Sequence, residues 1–271
     1  MSTPDAESGT APAPAWRHAG PRLLGGMVLA MAAAVLAWNA AMRAMAGMAV
    51  LCGNMAAMSW LPPPGGTWAG VLAAFLGMWT AMAVAMMLPV VAPALWRYRR
   101  RLHDTGSRHA DGLAAMAGLG YFCTWTLIGL LVFPLGAALA ALQAQVPALA
   151  RLGPAAAGLA VLAGGLFQFT AFKARYLASC RLDDCAGLPC ARPGAAWRHG
   201  LRLGLRCGAS CAGLTASLLA VGMMDWRAMA IATAATAGER FAPGGLRVAR
   251  IAGLVLAAAG AYMVAQAAHP A

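Results

Sequence analysis

Residues 44–96 contain no Asp, Glu, Lys or Arg, and only the Pro-Pro-Pro-Gly-Gly turn at 62–66 interrupts them. An apolar helix of roughly 20 residues crosses the hydrocarbon core of a bilayer, so this stretch predicts a membrane helix after the turn. The composition agrees, because 61% of the chain is hydrophobic and 10% is charged, against roughly 25% charged in soluble domains. The chain is therefore predicted to be an integral membrane protein.

Similar charge-free stretches recur along the chain and predict an all-α fold, a polytopic transmembrane helix bundle with six spans. The predicted spans are residues 22–42, 67–96, 113–142, 154–172, 207–224 and 251–266. Residues 225–241 look helical but carry charges, and they add a seventh span if they cross. Many Ala and Gly residues favour close helix packing.

The first 20 residues are rich in proline, lack an apolar core and carry Asp5 and Glu7. They predict a short disordered cytoplasmic tail, followed by a single transmembrane domain over residues 21–271.

The formal net charge of +12 is concentrated beside the predicted spans, at residues 97–108 and 173–206. Basic residues at span ends resist translocation, so both segments are expected in the cytoplasm, with both chain ends inside. Lys173 is expected to extend its amine to the lipid headgroups. The pattern indicates membrane lipid rather than nucleic acid as partner.

Methionines form the first candidate site. Met78, Met82 and Met86 are spaced four apart, which places them on one helical face, and Met87 lies on the adjacent face. Pro89 is expected to kink the end of this helix. Thioethers select soft ions, above all Cu(I), although methionine is also a flexible packing residue. A second methionine group, at residues 42–58, surrounds a cysteine near the predicted outer surface.

Cysteines form the second candidate site. Cys207 and Cys211 lie four apart at the start of a predicted span, so both thiols can face one site. The alternative is that they are small buried residues. Disulfides are disfavoured on the cytoplasmic side, and the chain has no Cys-x-x-Cys motif typical of zinc sites. The clustered cysteines are Cys180, Cys185, Cys190, Cys207 and Cys211.

A third group combines Met223 and Met224 with Glu239. A carboxylate close to the membrane is costly unless it is paired or functional. Two interpretations stay open for Glu239: an ion pair with Arg240, or neutralisation of a bound cation. The chain shows no phosphate loop, no Ser-His-Asp set and few histidines, which favours a protein that is not an enzyme.

Together these segments resemble a bacterial family of predicted metal-binding integral membrane proteins, over about residues 79–240. The stretches that carry the resemblance are Trp79-x-x-Met82-x-x-x-Met86-Met87-Leu-Pro89, Gly120-Tyr121 with Trp125, Gly165-x-x-Gln168 through Lys173 to Cys180-Arg181, Cys207-x-x-x-Cys211, Gly222-Met223-Met224 and Glu239. Some members are labelled copper chaperones and are associated with maturation of a copper oxidase such as tyrosinase. Two family cysteines are missing here, one before Cys180 and one at Ser210.

The resulting prediction is a Cu(I)-handling membrane protein, a chaperone or transfer factor for an extracytoplasmic copper enzyme. Its alternatives are a transporter subunit for copper or a small solute, and a membrane scaffold without metal. The predicted metal-binding residues are Met82, Met86, Met87, Cys180, Cys207, Cys211, Met223, Met224 and Glu239.

Overall fold

A computed structural model describes residues 60–62, 65–146, 149, 151–181, 192–221, 226–242 and 244–268. These ranges contain helices and no strand, which confirms the all-α fold class. The helices are α1 (Trp68–Asp104), α2 (Ala110–Gln145), α3 (Gly153–Phe167), α4 (Ala171–Arg181), α5 (Pro193–Val221), α6 (Trp226–Phe241) and α7 (Gly245–Ala268).

Four of these helices, α1, α2, α5 and α7, are long and apolar enough to cross a membrane. Helices α3 and α4 form a fifth candidate only as a broken pair, bent by 64°. Helix α6 has 16 residues, which is shorter than the roughly 20 that a crossing helix needs. A count of six or seven spans is not confirmed, and the predicted span at 22–42 lies outside the described residues, as does the predicted tail at 1–20.

The predicted fourth span, residues 154–172, is not one straight helix. Helix α3 ends at Phe167, and the next residues form turns in which Phe169 and Thr170 donate backbone bonds to carbonyls three residues earlier. The Thr170 hydroxyl then accepts from the backbone N–H of Lys173, which caps the start of α4. This local capping explains why the chain turns where hydropathy alone predicts continuity.

Two further boundaries differ from the predictions. Helix α1 continues through Pro89 to Asp104 instead of ending near residue 96, and Pro134 likewise lies inside α2. The segment 173–206, predicted as a polar connection, is largely helical, because α4 covers its start and α5 begins at Pro193. Proline suits the first turn of a helix, where its missing N–H has no intrahelical partner.

Glycines bring the helix backbones into direct contact around α5. A Cβ on Gly120 of α2 would lie 2.6 Å from the Trp197 carbonyl oxygen, and a Cβ on Gly213 would lie 2.7 Å from the Gly164 carbonyl oxygen of α3. Small residues permit such close approach in membrane proteins. Helix α5 is therefore held tightly between α2 and α3.

The two ends of the core differ in chemistry. At one end the rings of Tyr98 and His199 stack with centroids 4.8 Å apart, so the end of α1 and the start of α5 lie together; we call this the basic end. Towards the other end, Trp79 Nε1 donates to the Trp125 carbonyl oxygen at 2.7 Å, and Trp60, Phe75 and Phe133 pack together. Between these two regions lies a layer rich in sulfur, which we call the sulfur-rich layer. It contains Met82, Met86, Met87, Cys207 and Cys211.

Candidate metal centre

The methionines of α1 face the interior of the bundle. Met78, Met82 and Met86, which we call the methionine row, are all buried, and so is Met87. They belong to one core cluster that also contains Cys207 and Cys211. The predicted shared face is thus buried in the same core cluster as the two thiols.

The two cysteines of α5 are closed off from solvent, with exposed fractions of 0% for Cys207 and 1% for Cys211. Residues four apart on a helix are neighbours on its surface, so the thiols lie on one face. The Cys207 Sγ lies 3.9 Å from the Met87 Sδ. The structure therefore brings together a thiol and a thioether that are 120 residues apart in the sequence.

Tyr121 of α2 completes one side of this layer. Its hydroxyl donates to the Cys207 Sγ at 2.9 Å, and its side chain is fully buried. The sequence marked Tyr121 only as part of a family-like stretch and did not predict a contact with sulfur. Tyr121 thus borders the site on the α2 side, and its hydroxyl donates a hydrogen bond to the Cys207 sulfur.

Ser210 occupies a central position that sequence reasoning treated only as a missing cysteine. Its hydroxyl donates to the Cys207 carbonyl oxygen at 2.9 Å and lies 3.7 Å from the Cys211 Sγ. The Cys180 Sγ approaches the same hydroxyl at 4.0 Å. The Ser210 oxygen is therefore close to the thiols of both Cys180 and Cys211.

Cys180 reaches the site from α4 and is partly buried. Arg240 of α6 donates from Nη2 to the Cys180 Sγ at 3.5 Å. The sequence suggested Arg240 only as an ion-pair partner for Glu239. In the structure its guanidinium contacts a sulfur of the candidate site.

Lys173 does not extend to the headgroups, so that prediction is wrong. Its side chain is 0% exposed, and its Nζ donates to the Glu239 Oε2 at 2.6 Å and to the Ser210 carbonyl oxygen at 2.5 Å. The break after α3 turns α4 against α5 and α6, which buries the amine where a carboxylate and a carbonyl are available. Glu239 is itself 1% exposed, and a buried charge of this kind needs such a partner.

Several predicted residues lie outside the described part of the chain. These are Met223, Met224, Cys185, Cys190, Cys52 and the methionines at 42–58. Among the described residues, no group of three or more His, Cys, Asp or Glu is arranged to hold a metal ion. Methionine sulfur beside Cys207 and Cys211 forms a soft donor set of the kind that suits Cu(I).

Comparison with known proteins identifies the family of this chain. No match is found among curated proteins or among solved structures. Residues 76–263, more than half of the chain, match the family described as "PpoB2: Copper chaperone". The match begins within α1, contains the whole sulfur-rich layer and continues past residue 240 into α7. The resemblance drawn from the sequence motifs is confirmed, and the chain belongs to the PpoB2 copper chaperone family.

Proposed function

We propose that this protein binds Cu(I) between α1 and α5 and passes it to an extracytoplasmic copper enzyme. The observation that carries this proposal is the 3.9 Å approach of the Cys207 Sγ to the Met87 Sδ in a buried layer that also holds Cys211. The family's copper chaperone description supports copper as the cargo.

The donor set accounts for the choice of ion. Thiolate and thioether sulfur are soft ligands that suit Cu(I), whereas Mg²⁺ and Ca²⁺ require oxygen. Burial excludes water, which would otherwise compete for the ion. Cu(I) accepts few ligands, so the two thiolates and one thioether form a sufficient centre for it.

Transfer proceeds by ligand exchange in this proposal. The methionine row repeats every four residues, and four residues advance about 6 Å along a helix. Cu(I) exchanges one sulfur for the next along this row without becoming free. Cys180 provides a further thiol beside Ser210, and Met223 and Met224 remain proposed ligands. Glu239 remains a proposed residue of the metal site, where its carboxylate holds Lys173 against the turn of α5 that carries Cys211.

The cellular setting is also a proposal. The apolar helices suit a membrane, and we infer the bacterial inner membrane with both basic segments in the cytoplasm. The protein acts as a carrier and not as an enzyme, and it delivers copper to an unidentified copper enzyme.

One observation favours a second candidate function, a copper transporter. The 64° break between α3 and α4 resembles the discontinuous helices of transporters, whose binding sites lie beside such breaks. Lys173, three residues after the break, contacts the same α5 turn that carries Cys211. Copper flux into liposomes containing the purified protein separates the two functions, since a chaperone alone produces none.

The proposal is tested by anaerobic Cu(I) titration of the detergent-solubilised protein against a coloured chelator. We expect retention of Cu(I) and a copper X-ray absorption spectrum with only sulfur neighbours. A Cys123→Ser variant serves as the control and is expected to retain Cu(I) as the parent does. Cys123 is a free, half-buried cysteine of α2 that lies outside the sulfur-rich core cluster. Failure to retain copper, or a shell of nitrogen and oxygen, contradicts the proposal.

A further inference from the structure

Charged side chains are rare inside a helix bundle of this composition, yet three of them surround the thiols. Lys173 and Glu239 are fully buried and pair with each other, so their formal charges cancel. Arg240 lies next to Glu239 in sequence but donates to the Cys180 Sγ. Its guanidinium is thus a positive charge directed at sulfur.

The reach of this charge extends beyond Cys180. The Ser210 hydroxyl lies 4.0 Å from the Cys180 Sγ and 3.7 Å from the Cys211 Sγ, so the guanidinium that contacts Cys180 belongs to the same group of contacts as Cys211. Arg206 is half-buried, as Arg240 is, but Arg206 directly precedes Cys207 on α5, whereas Arg240 approaches a thiol from α6. Because the charges of Lys173 and Glu239 cancel, these two side chains and Arg240 together place one net positive charge beside the thiols.

Metal binding changes the charge of the site by an amount that depends on the metal. Two thiols release two protons when they bind Cu(I), so the product is a bis-thiolate centre with a net charge of −1. A divalent ion such as Zn(II) at the same two thiolates gives a neutral centre. The methionine sulfur adds no charge in either case. A fixed positive charge beside the site therefore stabilises the Cu(I) centre and leaves the Zn(II) centre nearly unaffected.

We propose that Arg240 selects Cu(I) over divalent metal ions by balancing the negative charge of a Cu(I) bis-thiolate at Cys207 and Cys211. This inference rests on the proposed function, since it requires those two thiols to be the ligands. It adds a specificity-determining residue that does not itself bind the metal. An arginine suits the role because its guanidinium stays charged in proteins.

The test compares Cu(I) and Zn(II) affinities of the full chain in detergent, each measured by competition with a chelator of known affinity. Arg240→Gln and Arg240→Leu remove the charge. We expect about tenfold weaker Cu(I) binding in these variants, with Zn(II) affinity changed less than about threefold. Arg240→Lys keeps the charge and is expected to keep the parent ratio of the two affinities.

The control is Arg202→Gln, which removes the same charge from an exposed position on α5 and is expected to leave both affinities unchanged. Equal weakening of Cu(I) and Zn(II) in the Arg240 variants overturns the inference, because it indicates a structural role. Failure of both neutral variants to fold, judged by size-exclusion chromatography, overturns it for the same reason. A parent protein that binds no Cu(I) instead contradicts the proposed function itself, so the two failures are distinct.

Discussion

The Nζ of Lys173 lies 2.6 Å from the Oε2 of Glu239, and the two side chains are 0% and 1% exposed. This ion pair joins α4 and α6, which are both shorter than a crossing helix. The same amine also holds the Ser210 carbonyl oxygen of α5. One buried cation thus connects three helices and fixes the turn of α5 that carries Cys207 and Cys211.

Breaking this pair from one side is expected to destabilise the protein. Glu239→Gln leaves the Lys173 amine buried without its carboxylate, which costs about 3–5 kcal/mol in comparable cases. Thermal unfolding in detergent measures the loss. The double variant Lys173→Met, Glu239→Gln removes both charges and is expected to recover much of the stability. Equal losses in the single and double variants contradict the assigned role of the charges.

The thiols of α5 are expected to be copper ligands. Cys207→Ser combined with Cys211→Ser replaces soft donors by hard hydroxyls, so Cu(I) affinity is expected to fall by at least about tenfold. In the parent, Cu(I) should protect both thiols from alkylation, as measured by mass spectrometry, while Cys123 shows no protection. An unchanged Cu(I) affinity in the double variant removes Cys207 and Cys211 from the site.

The thioethers are expected to contribute to binding but little to folding. Replacing Met82, Met86 and Met87 together with Leu keeps size and apolarity, at a cost below about 1.5 kcal/mol per site. Cu(I) affinity is expected to fall while helix content and a cooperative unfolding transition are retained. Met116→Leu is the control, because Met116 packs at the basic end away from the sulfur. An unchanged affinity in the triple variant assigns these methionines to packing alone.

Backbone contact between helices predicts sensitivity at single glycines. A Cβ on Gly200 would overlap the carbonyl oxygen of Ala117 on α2, whereas a Cβ on Gly194, on the same helix, meets nothing within 4 Å. Gly200→Ala is therefore expected to destabilise by about 1–3 kcal/mol, and Gly194→Ala is not. Unfolding temperatures in detergent compare the two. Similar values for both variants argue against the close α2–α5 contact.

The two basic segments are expected on the same, cytoplasmic side of the membrane. The Tyr98–His199 stack places the end of α1 and the start of α5 at one end of the bundle, and basic residues at span ends favour the cytoplasm. Reporter fusions after residue 104 and within residues 192–198 measure the side directly. Opposite sides for the two fusions contradict the structure, and a shared outer location contradicts the charge rule.

Hydropathy and spacing predicted what depends on local sequence. The helical class, the approximate spans of α1, α2 and α7 and the shared face of Met82 and Met86 follow from composition and from the 3.6-residue period. These features need no knowledge of which helices are neighbours. The family resemblance followed from the order of short motifs, and the family match confirms it.

Contacts between helices were not predictable in the same way. The distance from Cys207 to Met87, and the Tyr121 hydroxyl on that thiol, depend on how α1, α2 and α5 pack. The burial of the Lys173 side chain depends on the turn before α4, where Thr170 caps a new helix. Seen alone, a lysine near a span end is expected at the headgroups, and only the position of Glu239 reverses that expectation.

The backbone contacts of α5 also limit how copper can move in the proposed function. With Gly200 against Ala117 and Gly213 against Gly164, sliding or turning this helix would drive peptide groups into each other. The depth of Cys207 and Cys211 is consequently a fixed property of the bundle. In the proposed function, the copper ion then changes ligands along helices that do not move, and no sliding of α5 is needed.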